Sequence, residues 1–297
     1  MGTAVKISRF QLLTATTPAT QAELFVEICW ELGTLGMRQW DEGDEVAFEA
    51  YFPPETPRSR LLSEFSAAAG RLGLRVLELK VAAVQDRPEE WLDNWKSGFH
   101  GFDVGASLFV HPGWEPPSAR HPVNILMEPG HAFGTGTHES TRLCLRALPE
   151  TAPLGGRFMD VGTGSGILAI AMLKLRPEAK VFAIDNDPLA VEMADENFRR
   201  NEISPAGLAV AAPGAIRGAF DFVAANLTLA IFRREVDEIA RLAGGALLVS
   251  GFTAEQSPAV ADLFRRGGLE AIASWSLNGW DCLLLSRSSA SGSSVGR

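Results

Sequence analysis

Seven consecutive residues, Asp160-Val161-Gly162-Thr163-Gly164-Ser165-Gly166, have the types and spacing that speak most directly of chemistry in this 297-residue chain. They follow a strand-like apolar run, RFMDV, and precede a helix-like one, ILAIAMLKL. Glycines between a strand and a helix let the backbone turn sharply and let a ligand approach without meeting a Cβ. Gly162 and Gly164 are the expected points of close approach. A dinucleotide fingerprint needs its third glycine one residue later, where this chain has Ile167. The pattern therefore fits the nucleoside of S-adenosylmethionine better than a nicotinamide dinucleotide.

Two further residues belong with that loop. Asp185 ends the run KVFAID, nineteen residues beyond Gly166, where an open α/β sheet presents an acid to ribose hydroxyls. Asp187, directly ahead of Pro188, is the better helix cap. Asn226 falls at the carboxyl end of FDFVAANL, at the sheet edge where ligands lie. Adenine N6 and glutamine methyltransferases carry (N/D)-P-P-(Y/F) there, whereas this chain reads Asn226-Leu-Thr-Leu. Lacking the planar clamp of prolines and aromatic, the site is expected to take an aliphatic amine. Upstream, Glu128 to Thr141 (EPGHAFGTGTHEST) opens a helix and offers free N–H groups and hydroxyls to cap the pocket, with Thr137 or Thr141 as candidate N-caps. No His, Asp or Glu near Asn226 presents itself as a general base, so Asn226 reads as an orienting group and the neutral amine is drawn from solution.

The elements that must position these residues alternate. From about residue 119, RFMDV, ILAIAMLKL, KVFAID, LAVEMADENFRRN, LAVAA, FDFVAANL, LAIFRREVDEIARLA and ALLVSGF give strand and helix in turn. This is the signature of a mostly parallel sheet with helices on both faces. LEAIASWSL and WDCLLLS, around Asn278-Gly279, read as an antiparallel edge hairpin. The expectation is an α/β, Rossmann-like class I methyltransferase domain with a seven-stranded sheet over residues 119–287. The first 87 residues read strand, helix, strand, strand, helix, strand, as a small α+β ferredoxin-like domain. Phe25, Ile28, Cys29 and Leu32 form one helical apolar face, and Leu61, Phe65, Ala68 and Leu72 another. Val46, Phe48, Ala50 and Phe52 alternate as a strand with one covered face would. Residues 88–118 read as a connector, with a short helix in which Trp91 and Trp95 staple it to a domain. Residues 288–297 read as a disordered tail.

Bulk properties narrow the function. No run approaches signal-peptide or membrane-spanning length. Three cysteines without paired spacing suggest neither a disulfide framework nor zinc. A cytoplasmic, non-membrane protein is expected. A net charge of -9 disfavours nucleic acid and favours a basic protein partner. His111, His121, His131 and His138 read as loop histidines and not as a metal site. Cys144 lies in an apolar helical phase, against a covalent cytosine methyltransferase mechanism.

EPGHAFGTGTHEST, DVGTGSGILAIAMLKL, FAIDNDPLAVEMADEN and VAANL stand in the order and spacing of the bacterial PrmA family, and the chain resembles that family over nearly its whole length. The resemblance implies methylation of lysine or α-amino groups of the large-subunit ribosomal protein eleven. It also implies that Thr141, Gly162, Asp185 and Asn226 contact S-adenosylmethionine, that Phe133 closes over it, and that the N-terminal domain grips the substrate. His131 and the serine-rich tail depart from the family pattern. The alternatives are a lysine methyltransferase of another protein, a small-molecule amine methyltransferase and a non-catalytic binding protein.

Overall fold

The computed structural model describes residues 8–34, 36–86, 100–127 and 136–287. The chain forms two units, Met1–Phe99 and His100–Arg297.

In the first unit, β1 (Ser8–Pro18), α1 (Ala22–Glu31), β2 (Gly36–Glu42), β3 (Glu45–Phe52), α2 (Arg58–Leu72) and β4 (Leu77–Asp86) follow one another. The four strands pair antiparallel in the order β2-β3-β1-β4. This is the expected ferredoxin-like arrangement. Phe25, Ile28 and Cys29 of α1 and Leu61, Phe65 and Ala68 of α2 share a core with Leu13, Val46, Phe48, Ala50 and Phe52. Phe25 stacks on Phe48 with ring centres 4.2 Å apart. The other face of β3 is more covered than simple alternation implies. Ala47 and Tyr51 are buried too, because β3 has a strand on each side and Phe10 of β1 meets the Tyr51 ring edge-on.

The second unit begins earlier than residue 119. Part of the expected connector, residues 87–99, lies outside the described residues, including Trp91 and Trp95. Residues 100–118 hold β5 (Phe102–Val104) and β6 (Leu108–His111), which pair with β7 (Val123–Leu126) in a small sheet of their own. Leu108 and Val110 are fully buried in the core of the second unit. Proline and glycine around HPGWEPP suggested a linker, but the apolar phase of LFV outweighs them. Asn201 fixes this sheet to the domain, accepting from Leu126 N and donating to Leu126 O at 3.0 and 2.7 Å.

The main elements follow: α3 (Glu139–Thr151), β8 (Arg157–Val161), α4 (Ile167–Leu175), β9 (Lys180–Asp185), α5 (Pro188–Arg200), β10 (Gly207–Val210), β11 (Phe220–Asn226), α6 (Leu229–Leu242), β12 (Ala243–Thr253), α7 (Ser257–Arg266), β13 (Leu269–Leu277) and β14 (Trp280–Arg287). The seven-stranded sheet runs β10-β9-β8-β11-β12-β14-β13, parallel from β10 to β12 and antiparallel at β14 and β13. Alternate residues feed two cores, as a strand's period of two requires. Phe158, Phe222 and Ala224 face the side of α3 and α4, while Met159, Val223 and Ala225 face α6 and α7. The final hairpin turns through Asn278 and Gly279 with φ of 47° and 84°, the left-handed pair that a two-residue turn needs. Among the described residues no helix is long and apolar enough to cross a membrane.

The order in which strands are added reverses about β8. Strands β9 and β10 extend the sheet one way and β11 starts the other half, so the crevice between the carboxyl ends of β8 and β11 is the topological switch point. There the chain is packed to its limit. Gly251 of β12 has φ +95°, and a Cβ added to it would lie 2.5 Å from Leu227 O. Gly251→Ala should therefore destabilise the domain by roughly 2 to 5 kcal/mol, combining left-handed strain with overpacking against backbone. Urea unfolding measures this, and a change below 0.5 kcal/mol, about the noise of an ordinary surface substitution, would mean that the close approach is absent.

Candidate functional site

The carboxyl edge of the sheet gathers the residues singled out in the sequence. Asp160 and Asn226 occupy positions that alternate toward the α3 side of the sheet, and Asn226 meets α3 directly. Its Nδ2 donates to Thr141 Oγ1 at 3.0 Å. The Asn226 Oδ1 atom is buried and has no hydrogen-bond partner among the described residues. Buried carbonyl oxygens of side chains are nearly always paired, so an open one at a sheet's ligand edge marks a place for a donor from outside.

The glycine loop is bound at both ends. Gly162 N and Thr163 N donate to Ile184 O, each at 2.9 Å. Gly164 N donates to Asp185 Oδ2 at 2.9 Å, and Asp187 N donates to Asp185 Oδ1 at 3.0 Å. Asp185 is only half-buried, and carboxylate oxygens keep lone pairs for further donors such as hydroxyls. A Cβ on Gly162 would collide with Leu227 Cδ2, so the side chain after Asn226 packs against the glycine loop and leaves it no room for another residue. Asp187 caps α5 through Leu189 N at 2.9 Å, as its place before Pro188 suggested. Phe133, His131 and the rest of residues 128–135 lie outside the described residues.

Asp160 is the participant that its place in the motif did not disclose. It is buried, and its Oδ2 accepts from Thr163 Oγ1 at 2.8 Å and from Ala169 N at 3.1 Å. One carboxyl thus joins the strand end, the loop and the first turn of α4. Its Oδ1 has no partner among the described residues. Burial pushes its pKa up to about 7, with the Thr163 and Ala169 hydrogen bonds opposing and the Asp185 charge reinforcing the rise. The available signal was an acid in an otherwise apolar strand, flanked by Met159 and Val161.

Other residues resolve into structural roles. His138, not Thr137 or Thr141, is the N-cap of α3, its Nδ1 accepting from Ser140 N at 3.2 Å. The His138 ring meets Trp280 edge-on at 4.4 Å, and burial pushes its pKa down, with Glu139 opposing. His111 is the last residue of β6 and is not on a loop; it and His121 each stack with Phe109, at 5.8 and 5.7 Å. Cys144 and Cys282 are both fully buried, and burial first of all pushes the Cys282 thiol up, which suits core residues and not nucleophiles.

The sequence matches a family model described as ribosomal protein L11 methyltransferase (PrmA) over residues 14–288. A ribosomal protein L11 methyltransferase of Geobacter sulfurreducens is 36% identical over 263 residues, 85% of this chain and 86% of that protein. One from Carboxydothermus hydrogenoformans is 33% identical over 295 residues, 89% and 94% of the two chains. The crystal structure of a ribosomal protein L11 methylase from Lactobacillus delbrueckii subsp. bulgaricus superposes with a TM-score of 0.58 at 28% identity, covering 64% of this chain and 99% of that one.

The Asp160 carboxyl has a consequence for stability. Its folded pKa, about 7, stands above the ordinary value of 3.8, so between about pH 4 and 7 the native state holds a proton that the unfolded chain has released. The stability it contributes is present below that window and is lost as pH rises through it, by at most about 1.4 kcal/mol per unit. Asp160→Asn keeps an acceptor for Thr163 and Ala169 but cannot ionise. In urea titrations the variant should gain on the wild type from about pH 4 to 7 and level off above that. A difference independent of pH would show that Asp160 does not titrate there.

Proposed function

We propose, because this chain belongs to the ribosomal protein L11 methyltransferase (PrmA) family and is an S-adenosylmethionine-dependent methyltransferase, that its acceptors are lysine or α-amino groups of ribosomal protein L11. The observation that carries the choice of substrate is the extent of the match, which begins at residue 14 and so takes in the first unit as well as the catalytic one. A likeness confined to the catalytic unit would support only the reaction. The net charge of -9 suits a basic partner, and a ribosomal-protein substrate supports a cytoplasmic reaction.

The residues present fit the cofactor. A glycine loop closely approached at Gly162, a half-buried Asp185 beside it and a buried open acceptor on Asn226 are groups suited to a nucleoside and an amine. Asp185 would hold the ribose hydroxyls, and Gly162 and Gly164 would allow close approach of the cofactor's chain. Bound S-adenosylmethionine supplies a methyl group activated on a sulfonium. The protein's part would be to position the acceptor nitrogen for displacement at that methyl, with S-adenosylhomocysteine as the leaving product. A lysine of pKa near 10.4 must first lose its proton, at about 5 kcal/mol at pH 7 for about 1.36 per unit, and an apolar cleft reduces that cost. His138 is committed to capping α3 and Glu139 accepts from Asn278 at 3.2 Å, so the neutral amine comes from solution. Asn226 Oδ1 accepts one amine N–H and turns the nitrogen lone pair toward the methyl.

Asp185→Ala should weaken S-adenosylhomocysteine binding by about 1 to 3 kcal/mol, the penalty for leaving hydroxyl partners unpaired. Calorimetry measures it, and an unchanged dissociation constant would place the ribose elsewhere.

A chain starting near residue 87 should bind S-adenosylhomocysteine as the full chain does, yet fail to methylate L11 supplied with labelled cofactor, because substrate recognition is assigned to the first unit. Full activity of the shortened chain on intact L11 would refute that division of labour.

A further inference from the structure

We infer that Thr141 is a positioning residue, which acts by fixing the side-chain amide of Asn226 with its oxygen toward the acceptor amine. The inference rests on the reading of Asn226 given above, and it gives Thr141 a task beside the cofactor contact that the family resemblance implies.

The observation is a division of the amide into a held end and an open end. Nδ2 donates to Thr141 Oγ1 at 3.0 Å, and Oδ1, equally buried, has no partner among the described residues. An amide on an sp³–sp² torsion rotates between two broad orientations of similar energy unless a neighbour chooses one. Here the choice has chemical weight. With Nδ2 held, the open end is a pure acceptor; with the amide reversed, it would present N–H groups to an amine that must itself donate. Two facing donors would turn the nitrogen lone pair away from the methyl group.

Thr141 is well placed to make that choice. It is 1% exposed, and it lies in the first turn of α3, whose start is fixed by the His138 cap. Asn226 cannot withdraw from it, because the following residue is pressed between Gly162 and Gly251 and Leu227 N donates to Ser250 O at 2.9 Å. Hydroxyl and amide are thus carried on two elements that have no freedom to separate. Thr141 occupies the amide nitrogen and leaves the oxygen to the substrate.

The test compares Thr141→Val, which keeps shape and β-branching but removes the hydroxyl, with Thr141→Ser, which keeps the hydroxyl. Both are made in the full chain and assayed with L11. Thr141→Val should lower kcat about 10- to 100-fold, the scale of a misaligned reacting group. Measured at saturating cofactor, it should leave the slope of log kcat/KM against pH unchanged, since no proton acceptor is lost. Thr141→Ser should return kcat to within about fivefold of wild type. A kcat preserved at saturating cofactor would overturn the inference. So would a serine variant no better than the valine one. Asn226→Ala, assayed in parallel, separates the two levels: an unchanged kcat there refutes the reading of Asn226 itself. A strong loss there with an active Thr141→Val refutes only the role of Thr141. In the wild-type protein, whatever the variants do, nuclear Overhauser contacts between the Asn226 side-chain amide protons and the Thr141 methyl group are expected, and their absence would also overturn the inference.

Discussion

The step from Asn226 to Leu227 is the constraint on which the rest of the site depends. The Leu227 side chain lies against Gly162 and its backbone against Gly251, where an added carbon would meet Leu227 O at 2.5 Å. Three segments far apart in sequence, the loop after β8, the end of β11 and the bend in β12, are thereby brought to one another's van der Waals surface. Packing of this density leaves no continuous adjustment, because interiors at crystal-like density transmit a displacement instead of absorbing it. The side chain that precedes Leu227 is therefore delivered to one place. Since strand residues alternate, it is delivered to the face on which α3 lies.

Polar groups near this step are arranged around the same junction. Asp160 binds the loop to α4, and Asp185 binds the loop to the turn that opens α5. The two carboxyls differ in kind. Asp185 is half-exposed and accepts backbone N–H groups on both oxygens, with lone pairs left for hydroxyl partners. Asp160 is enclosed, and burial favours its neutral form. A neutral Asp160 also spares Asp185 a second negative charge across the loop. One acid is thus structural, the other available to a ligand, and burial is what separates them.

Much of this was legible in the sequence, and what was legible was local. The strand–glycine–helix order, the acid at the end of the next strand, the cap before Pro188 and the Asn-Gly turn each depend on residues a few positions apart. The alternation in FDFVAAN carried the further information that Asn226 shares a face with Phe222 and Ala224. What was not legible came from tertiary structure. Nothing in the spacing says that Thr141 and Asn226, 85 residues apart, meet through one hydrogen bond. A histidine was not expected to cap α3, because serine and threonine hydroxyls lead that role by propensity. Residues 100–118 read as a linker because Pro112, Gly113, Pro116 and Pro117 dominate their composition, yet Leu108 and Val110 are core residues. Short strands between turn residues carry too few positions for periodicity to overcome that impression.

The edge hairpin shows how far the site reaches into the fold. Its turn, with φ positive at both Asn278 and Gly279, brings Trp280 onto the His138 ring and the Asn278 amide onto Glu139. Those two contacts fall on the N-cap and first residue of α3, the turn that carries Thr141. The sheet's last two strands, which lie farthest from the glycine loop in strand order, thus help to fix the helix start that faces Asn226. A helix N-terminus has unpaired N–H groups and a strong preference for a particular cap, so its position is set by whatever satisfies and covers it. Here the cap is itself covered by a residue of β14. The site is accordingly a product of the completed sheet and not of the glycine motif alone: the motif makes room for a ligand, and the antiparallel edge determines where the helix facing that room begins.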